Sequence, residues 1–319
     1  MQSKKNHAML GKLGIAASLL LALGGAASAQ EVSLTAAPAP AALPDGQSVQ
    51  MWGYTCGNAG AGGATCAPLN AAAATAGNWS PVLITAPTGS TLTIRLTNSL
   101  SFANSNSVPT SLVIVGQLGG GLGTTPTRTT SPVHPPQGTT WPGTPGEASS
   151  TECGGESGTF CPPGQLDRVR SFGTEVPAGS TSDLTWSNLR PGTYLIESGT
   201  HPSIQGPMGL YGVLVVTTPG TAYPGVAYDA EVPLLLSEID PVQNAAVTLA
   251  VNTGGFSETA VWNGQAANPD TGTAAGCGNP SVHTCFPPAV NYDPRYYLIN
   301  GVSLDRSALT NSQFGLGVT

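Results

Sequence analysis

Residues 90–98 (STLTIRLTN) alternate between polar and apolar side chains without a break, so that Leu92, Ile94 and Leu96 share one face. A period of two is the mark of a half-buried β-strand, and such a strand folds only as part of a sheet with a covered face. The chain also carries 42 glycines and 28 prolines, about a fifth of its 319 residues, which suits short strands joined by loops better than helices. Further strands are predicted at residues 47–54, 81–86, 110–117, 168–177 and 181–186. Residues 192–216 (GTYLIESGTHPSIQGPMGLYGVLVV) read as strand, Gly/Pro-rich loop, strand. Together these give roughly seven to eight strands, the size of one Greek-key β-sandwich.

The flanking segments divide the rest. Lys4, Lys5 and Lys12 precede an apolar run, and Ala27-Ser28-Ala29 fits a small-residue cleavage site, so residues 1–29 read as a secretory signal with the mature chain starting at Gln30. The run is too short to span a bilayer, and no later segment is apolar enough to do so. Residues 30–46, rich in Ala and Pro, read as a flexible leader. The first sandwich is then expected over 47–222, with a long unpatterned loop at 118–165. A second, incomplete unit follows over 223–319, with residues 231–239 (EVPLLLSEI) as a buried strand, 240–288 poorly patterned, and 296–301 as another strand.

Beyond the signal, seven arginines face seventeen carboxylates. That acidic balance argues against nucleic acid and anionic membranes as partners. The six cysteines form three close pairs: Cys56 with Cys66, Cys153 with Cys161, and Cys277 with Cys285. In an exported chain, periplasmic or extracellular, these read as local disulfides that pin loops. The rival reading, metal thiolates, lacks CxxC spacing, and only His283 stands nearby.

Several segments, taken in order, resemble the multicopper oxidase family: PVLITAPTGSTLTIRLTNSL, TSLVIVGQ, LRPGTYLIESGTHPSIQGPMGLYGVLVV, EVPLLLSEIDP and NYDPRYYLINGVS. The resemblance covers most of residues 47–304. It implies an all-β, cupredoxin-like Greek-key sandwich followed by a partial second cupredoxin-like unit. It also implies the family's chemistry, in which one copper oxidises a substrate and a three-copper cluster reduces dioxygen. Carried over residue by residue, the family's first His-X-His falls on Val113 and Val115, whose side chains cannot bind a metal. Its second pair falls on the loop that holds Glu197 and His201, with His201 four residues before Gln205 as the family has it. Copper, where retained, centres on His201 with Glu197.

The histidine count agrees with this, because imidazole is the donor that suits copper in such clusters. Only His134, His201 and His283 lie beyond the signal. A mononuclear site of His201, Met208 and a cysteine thiolate would need a cysteine without a disulfide partner. Glu197 and His201 also have a structural reading, as a loop pair that hydrogen-bonds its own turn. No GxSxG, HExxH, P-loop or dinucleotide motif stands in a fitting context. The expectation is an exported multicopper-oxidase-like protein, copper-binding and oxidoreductive by resemblance but catalytically incomplete in this chain, completed by further cupredoxin domains or joined to an extracellular protein. The alternative is a non-enzymatic extracellular module for attachment or assembly.

Overall fold

The computed structural model describes residues 29–60, 62–121, 171–218, 221–223, 225–261, 283–287 and 292–309. Two mixed sheets face each other. The first holds β1 (Ala29–Ala42), β2 (Ser48–Ala59), β5 (Thr91–Asn98) and β7 (Thr181–Trp186) in the order β2-β1-β5-β7. The second holds β3 (Thr65–Pro68), β4 (Val82–Pro87), β6 (Val113–Ile114), β8 (Gly192–Glu197) and β9 (Tyr211–Thr217) in the order β3-β4-β9-β8-β6. Each sheet contains one parallel pair, β1 with β5 and β4 with β9. The all-β sandwich that the alternation predicts is therefore the fold.

The period of two in β5 does what it forecasts. Leu92, Ile94 and Leu96 point inward and are fully buried, packed in one core with Leu34, Ile84, Trp186 and Leu214. On the opposite face Thr93 and Thr97 meet Thr185 and Thr181 across the β5–β7 ladder at 3.1 and 2.9 Å, and Arg95 bonds Asp183 at 3.0 Å.

The leader expected at 30–46 is a correction: most of it is β1, an interior strand of the first sheet. Gln30, Val32, Leu34 and Ala36 face inward and are buried, an alternation disguised by the small alanines. Pro38 and Pro40 are tolerated for a definite reason. The Pro40 carbonyl accepts from the Trp79 N–H at 2.7 Å, so the backbone polar groups of residue 40 face away from β2. Pro38, two residues earlier in a pleated strand, has the same orientation, and neither missing N–H removes a bond to β2. The first sandwich thus starts at β1, ahead of residue 47.

Cys56 and Cys66 are disulfide-bonded, as their spacing predicts, with their Cα atoms 5.7 Å apart. The bridge does more than pin a loop, since it joins β2, the edge of one sheet, to β3, the edge of the other. Cys285 is also disulfide-bonded. Cys153, Cys161 and Cys277 lie outside the described residues, as do residues 1–28 of the expected signal, residues 122–165 of the expected long loop and residues 168–170 of the strand predicted after it. No helix among the described residues is long and apolar enough to cross a membrane.

Two predicted strands shrink. Within 110–117 only Val113 and Ile114 form β6, and within 171–177 the pairing is limited to the isolated bridges of Ser171 with Thr200 and Thr110 with Val176. A short helix, α1 (Ala71–Thr75), precedes β4, and a second, α2 (Pro202–Met208), fills the loop between β8 and β9.

After β10 (Thr221–Tyr223) and β11 (Val226–Ala227), the strand expected to be buried at 231–239 is reduced to β12 (Leu236–Ile239). Its apolar run is largely exposed: Leu236 is 71% accessible. The stretch read as unpatterned opens with a helix, α3 (Pro241–Val251), capped by Asp240, whose carboxylate accepts from the N–H groups of Val242 and Gln243. Then follow β13 (Ser257–Val261), β14 (Cys285–Phe286), β15 (Tyr296–Ile299) and β16 (Val302–Ser303). Val247 and Val251 of α3 and Phe286 of β14 enter the main core, and Ile239 and Leu298 pack with Met51 and Trp79 in a second cluster.

Because β1 is interior, truncating it should unfold the sandwich. Leu34→Ala, at a position with 1% accessibility, is expected to lower unfolding stability by about 2–5 kcal/mol in a denaturant titration, where a leader residue would change nothing.

Candidate functional site

His201 stands at the mouth of the β8–β9 connection, and its backbone sets the turn. Its φ of 41° and ψ of 59° are left-handed, a conformation rare outside glycine and asparagine, and it forms the N-cap of α2 with Pro202 at the first helical position. The His201 carbonyl accepts from the N–H groups of Ile204 and Gln205 at 2.8 and 2.9 Å. Gly209 ends the helix at φ 112°, where a Cβ would lie 2.6 Å from the Trp52 carbonyl oxygen, so only glycine fits there.

The imidazole is fixed from a distant part of the chain. His201 Nε2 lies 2.6 Å from Glu258 Oε2, with the two side chains 11% and 20% accessible. The ring meets Phe286 edge to face at 5.6 Å, and Phe286 in turn meets Phe256 at 5.1 Å. Glu258 comes from β13 and Phe286 from β14, next to the disulfide-bonded Cys285. Sequence reasoning missed Glu258 because it lies in the unpatterned stretch.

Glu197 ends β8, opposite Val113 of β6 and Tyr211 of β9. It is half-buried, and loss of solvent raises its carboxyl above the usual carboxylate range. Val113 and Val115, at the positions of the first family pair, lie on and just past β6, with Val115 exposed. His134 is outside the described residues, and His283, at φ 52°, sits two residues before Cys285.

Beneath His201 lies a buried polar cluster that no motif announced. The Gln205 carboxamide oxygen accepts from Thr110 at 2.8 Å and Ser198 at 2.6 Å, while its nitrogen donates to the Pro109 carbonyl at 2.7 Å. Thr200 donates to Ser111 Oγ at 3.0 Å, and Tyr54 donates to the Ser111 carbonyl at 2.8 Å, its own ionisation pushed up by burial. These hydroxyl and amide groups satisfy one another, as buried polar atoms must.

The donor set can be tested against copper. Copper in an oxidase cluster takes imidazole and thiolate, not neutral hydroxyls and amides. Among the described residues no group of three or more His, Cys, Asp or Glu side chains could hold a metal ion. The described residues therefore do not fit a copper cluster.

Two outcomes follow from this geometry. Gln205→Leu leaves Thr110, Ser198 and the Pro109 carbonyl short of partners and is expected to lower stability by about 1–3 kcal/mol in chemical unfolding. The raised carboxyl of Glu197 means that the folded state binds more protons than the unfolded chain at pH values between the ordinary and the raised pKa. Its contribution is thus most favourable in acid and declines as pH rises through that window. Glu197→Gln should remove this decline, leaving a flatter profile of unfolding midpoint against pH above about 4.

No family model matches the chain, and no curated protein matches it. Among solved structures it is similar to a multi-copper oxidase from Pseudomonas thermotolerans, at 17% identity and a TM-score of 0.33, over 60% of this chain and 30% of that one. It is similar to a copper nitrite reductase from Nitrosomonas europaea at 16% identity and a TM-score of 0.38, over 68% and 52%. It is also similar to a blue copper oxidase from Nitrosomonas europaea at 13% identity and a TM-score of 0.39, over 86% and 54%. The chain spans from about a third to about half of the length of these proteins. At such identities and scores the likeness assigns no activity.

Proposed function

We propose that this is an exported, cupredoxin-like protein related to the multicopper oxidases, and that the oxidase chemistry of that family is not completed by this chain. The observation that carries the reading is the pairing of His201. Its Nε2, one of the two ring nitrogens through which an imidazole binds a metal, is taken up by Glu258 at 2.6 Å, and the ring is packed edge-on against Phe286. In this reading His201 clasps β13 and β14 to the sandwich, and the valines at 113 and 115 mark ligand positions given up. Glu197 with His201 is the place where a weak copper site would remain. The disulfides at Cys56–Cys66 and Cys285 support an oxidising compartment, periplasmic or extracellular.

A second reading, a non-enzymatic module for attachment or assembly, is favoured by exposed apolar side chains near β6. Val115, Leu118, Phe172 and Leu195 all present apolar surface there, and the Val115 N–H bonds the Leu195 carbonyl. Such a surface suits a further cupredoxin domain or an extracellular protein.

Elemental analysis of the purified secreted chain, before and after loading with copper(II) and dialysis, tests the first reading. The expected result is far less than one copper per chain and no dioxygen consumption with phenolic reductants. Stoichiometric copper that survives dialysis, together with oxidase turnover, would overturn it.

A further inference from the structure

A cleft of about 360 Å³ opens where the β15–β16 hairpin meets the turn between β1 and β2. Its framework is built by hydrogen bonds from both sides. The Tyr296 hydroxyl donates to Asp45 Oδ2 at 2.7 Å, and Asp45 Oδ1 accepts from the Gln47 N–H at 3.1 Å, joining hairpin to turn. Beyond β16, Asp305 Oδ1 accepts from the N–H and hydroxyl of Ser307 at 2.8 and 2.6 Å. These bonds, that from Tyr296 first for Asp45 and those from Ser307 for Asp305, hold both carboxyls below the ordinary range, so they stay acceptors in mild acid.

The lining has two kinds of surface. Tyr297, 51% accessible, and Leu304, 37% accessible, give a flat aromatic ring beside an aliphatic group. Around them stand Arg295 and Arg306 as donors and Asp45 and Asp305 as acceptors, with Ser307 between. Two guanidinium groups face the carboxylates of Asp45 and Asp305, and Arg295 is further offset by Asp293, so the cleft has no excess of positive charge. Such a lining does not concentrate phosphate or dicarboxylate. What it matches is an uncharged ring with one C–H face for the phenol and hydroxyls that both donate and accept around its edge.

We propose that this cleft binds an uncharged saccharide, either a free oligosaccharide or the exposed end of a surface glycan. The site is independent of any copper chemistry, because none of its residues belongs to the His201 region. Titrating the full secreted chain with cellotetraose, maltotetraose and chitotetraose by amide chemical shift, and sedimenting it with cellulose or chitin particles, distinguishes the two sources. Binding is expected in at least one arm, with inorganic phosphate not competing. Tyr297→Ala, an exposed position that leaves the fold intact, should weaken it at least about tenfold, and Arg306→Ala should weaken it in the same arm. No binding in either arm, or binding that Tyr297→Ala leaves unchanged, would overturn the proposal.

Discussion

The parallel pairing of β1 with β5 is the contact on which the sandwich depends. It sets Val32 beside Ile94 and Leu34 beside Leu96, so that two inward files form one apolar surface against Ile84, Ile196 and Leu214 of the facing sheet. Burial of such side chains dominates folding free energy, and the Thr and Arg–Asp pairs on the opposite face add little beside it. The loop that carries His201 hangs from β8 and β9 of the second sheet, which that surface holds in place, while Glu258 and Phe286 reach the ring from β13 and β14.

Much of this fold could be read in the sequence, for physical reasons that particular residues show. β4, β5 and β7 carry β-branched and leucine side chains at a spacing that a pleated strand buries on one side, and β9 is an aliphatic run buried on both. β1 escaped notice because its inward file ends in alanines and its far half contains two prolines, a composition shared with unstructured linkers. α3 was hidden for the opposite reason. Its buried face includes Gln243 and Asn244, and Asn244 donates to the Gln50 carbonyl at 3.1 Å, so the stripe that marks a helix is polar where it should be apolar. Its start signal, Asp240 followed by Pro241, was present but had no periodic stretch to introduce.

The site was legible only in part. The family resemblance points to His201 and Glu197 in the loop, and the structure gives the imidazole a carboxylate that reaches it from β13. Long-range polar pairing leaves no trace in local periodicity, and the Gln205 cluster likewise draws on three separate segments of the chain, at Tyr54, at 109–111 and at 198–205. The same loop therefore admits two histories in its letters, a ligand loop or a clasp, and only the position of Glu258 favours one of them.

The place of β1 in the sheet also bears on how the chain reaches its native state. Among the described residues the strand that is synthesised first is an interior one, flanked on one side by its immediate successor and on the other by a strand made later. Until β5 arrives, the far edge of β1 has no ladder to join, so the nucleus must gather distant segments rather than grow from one end. Folds closed by such non-local pairing form slowly. Until that partner arrives, a polypeptide of this design carries the apolar file of β1 uncovered along one edge.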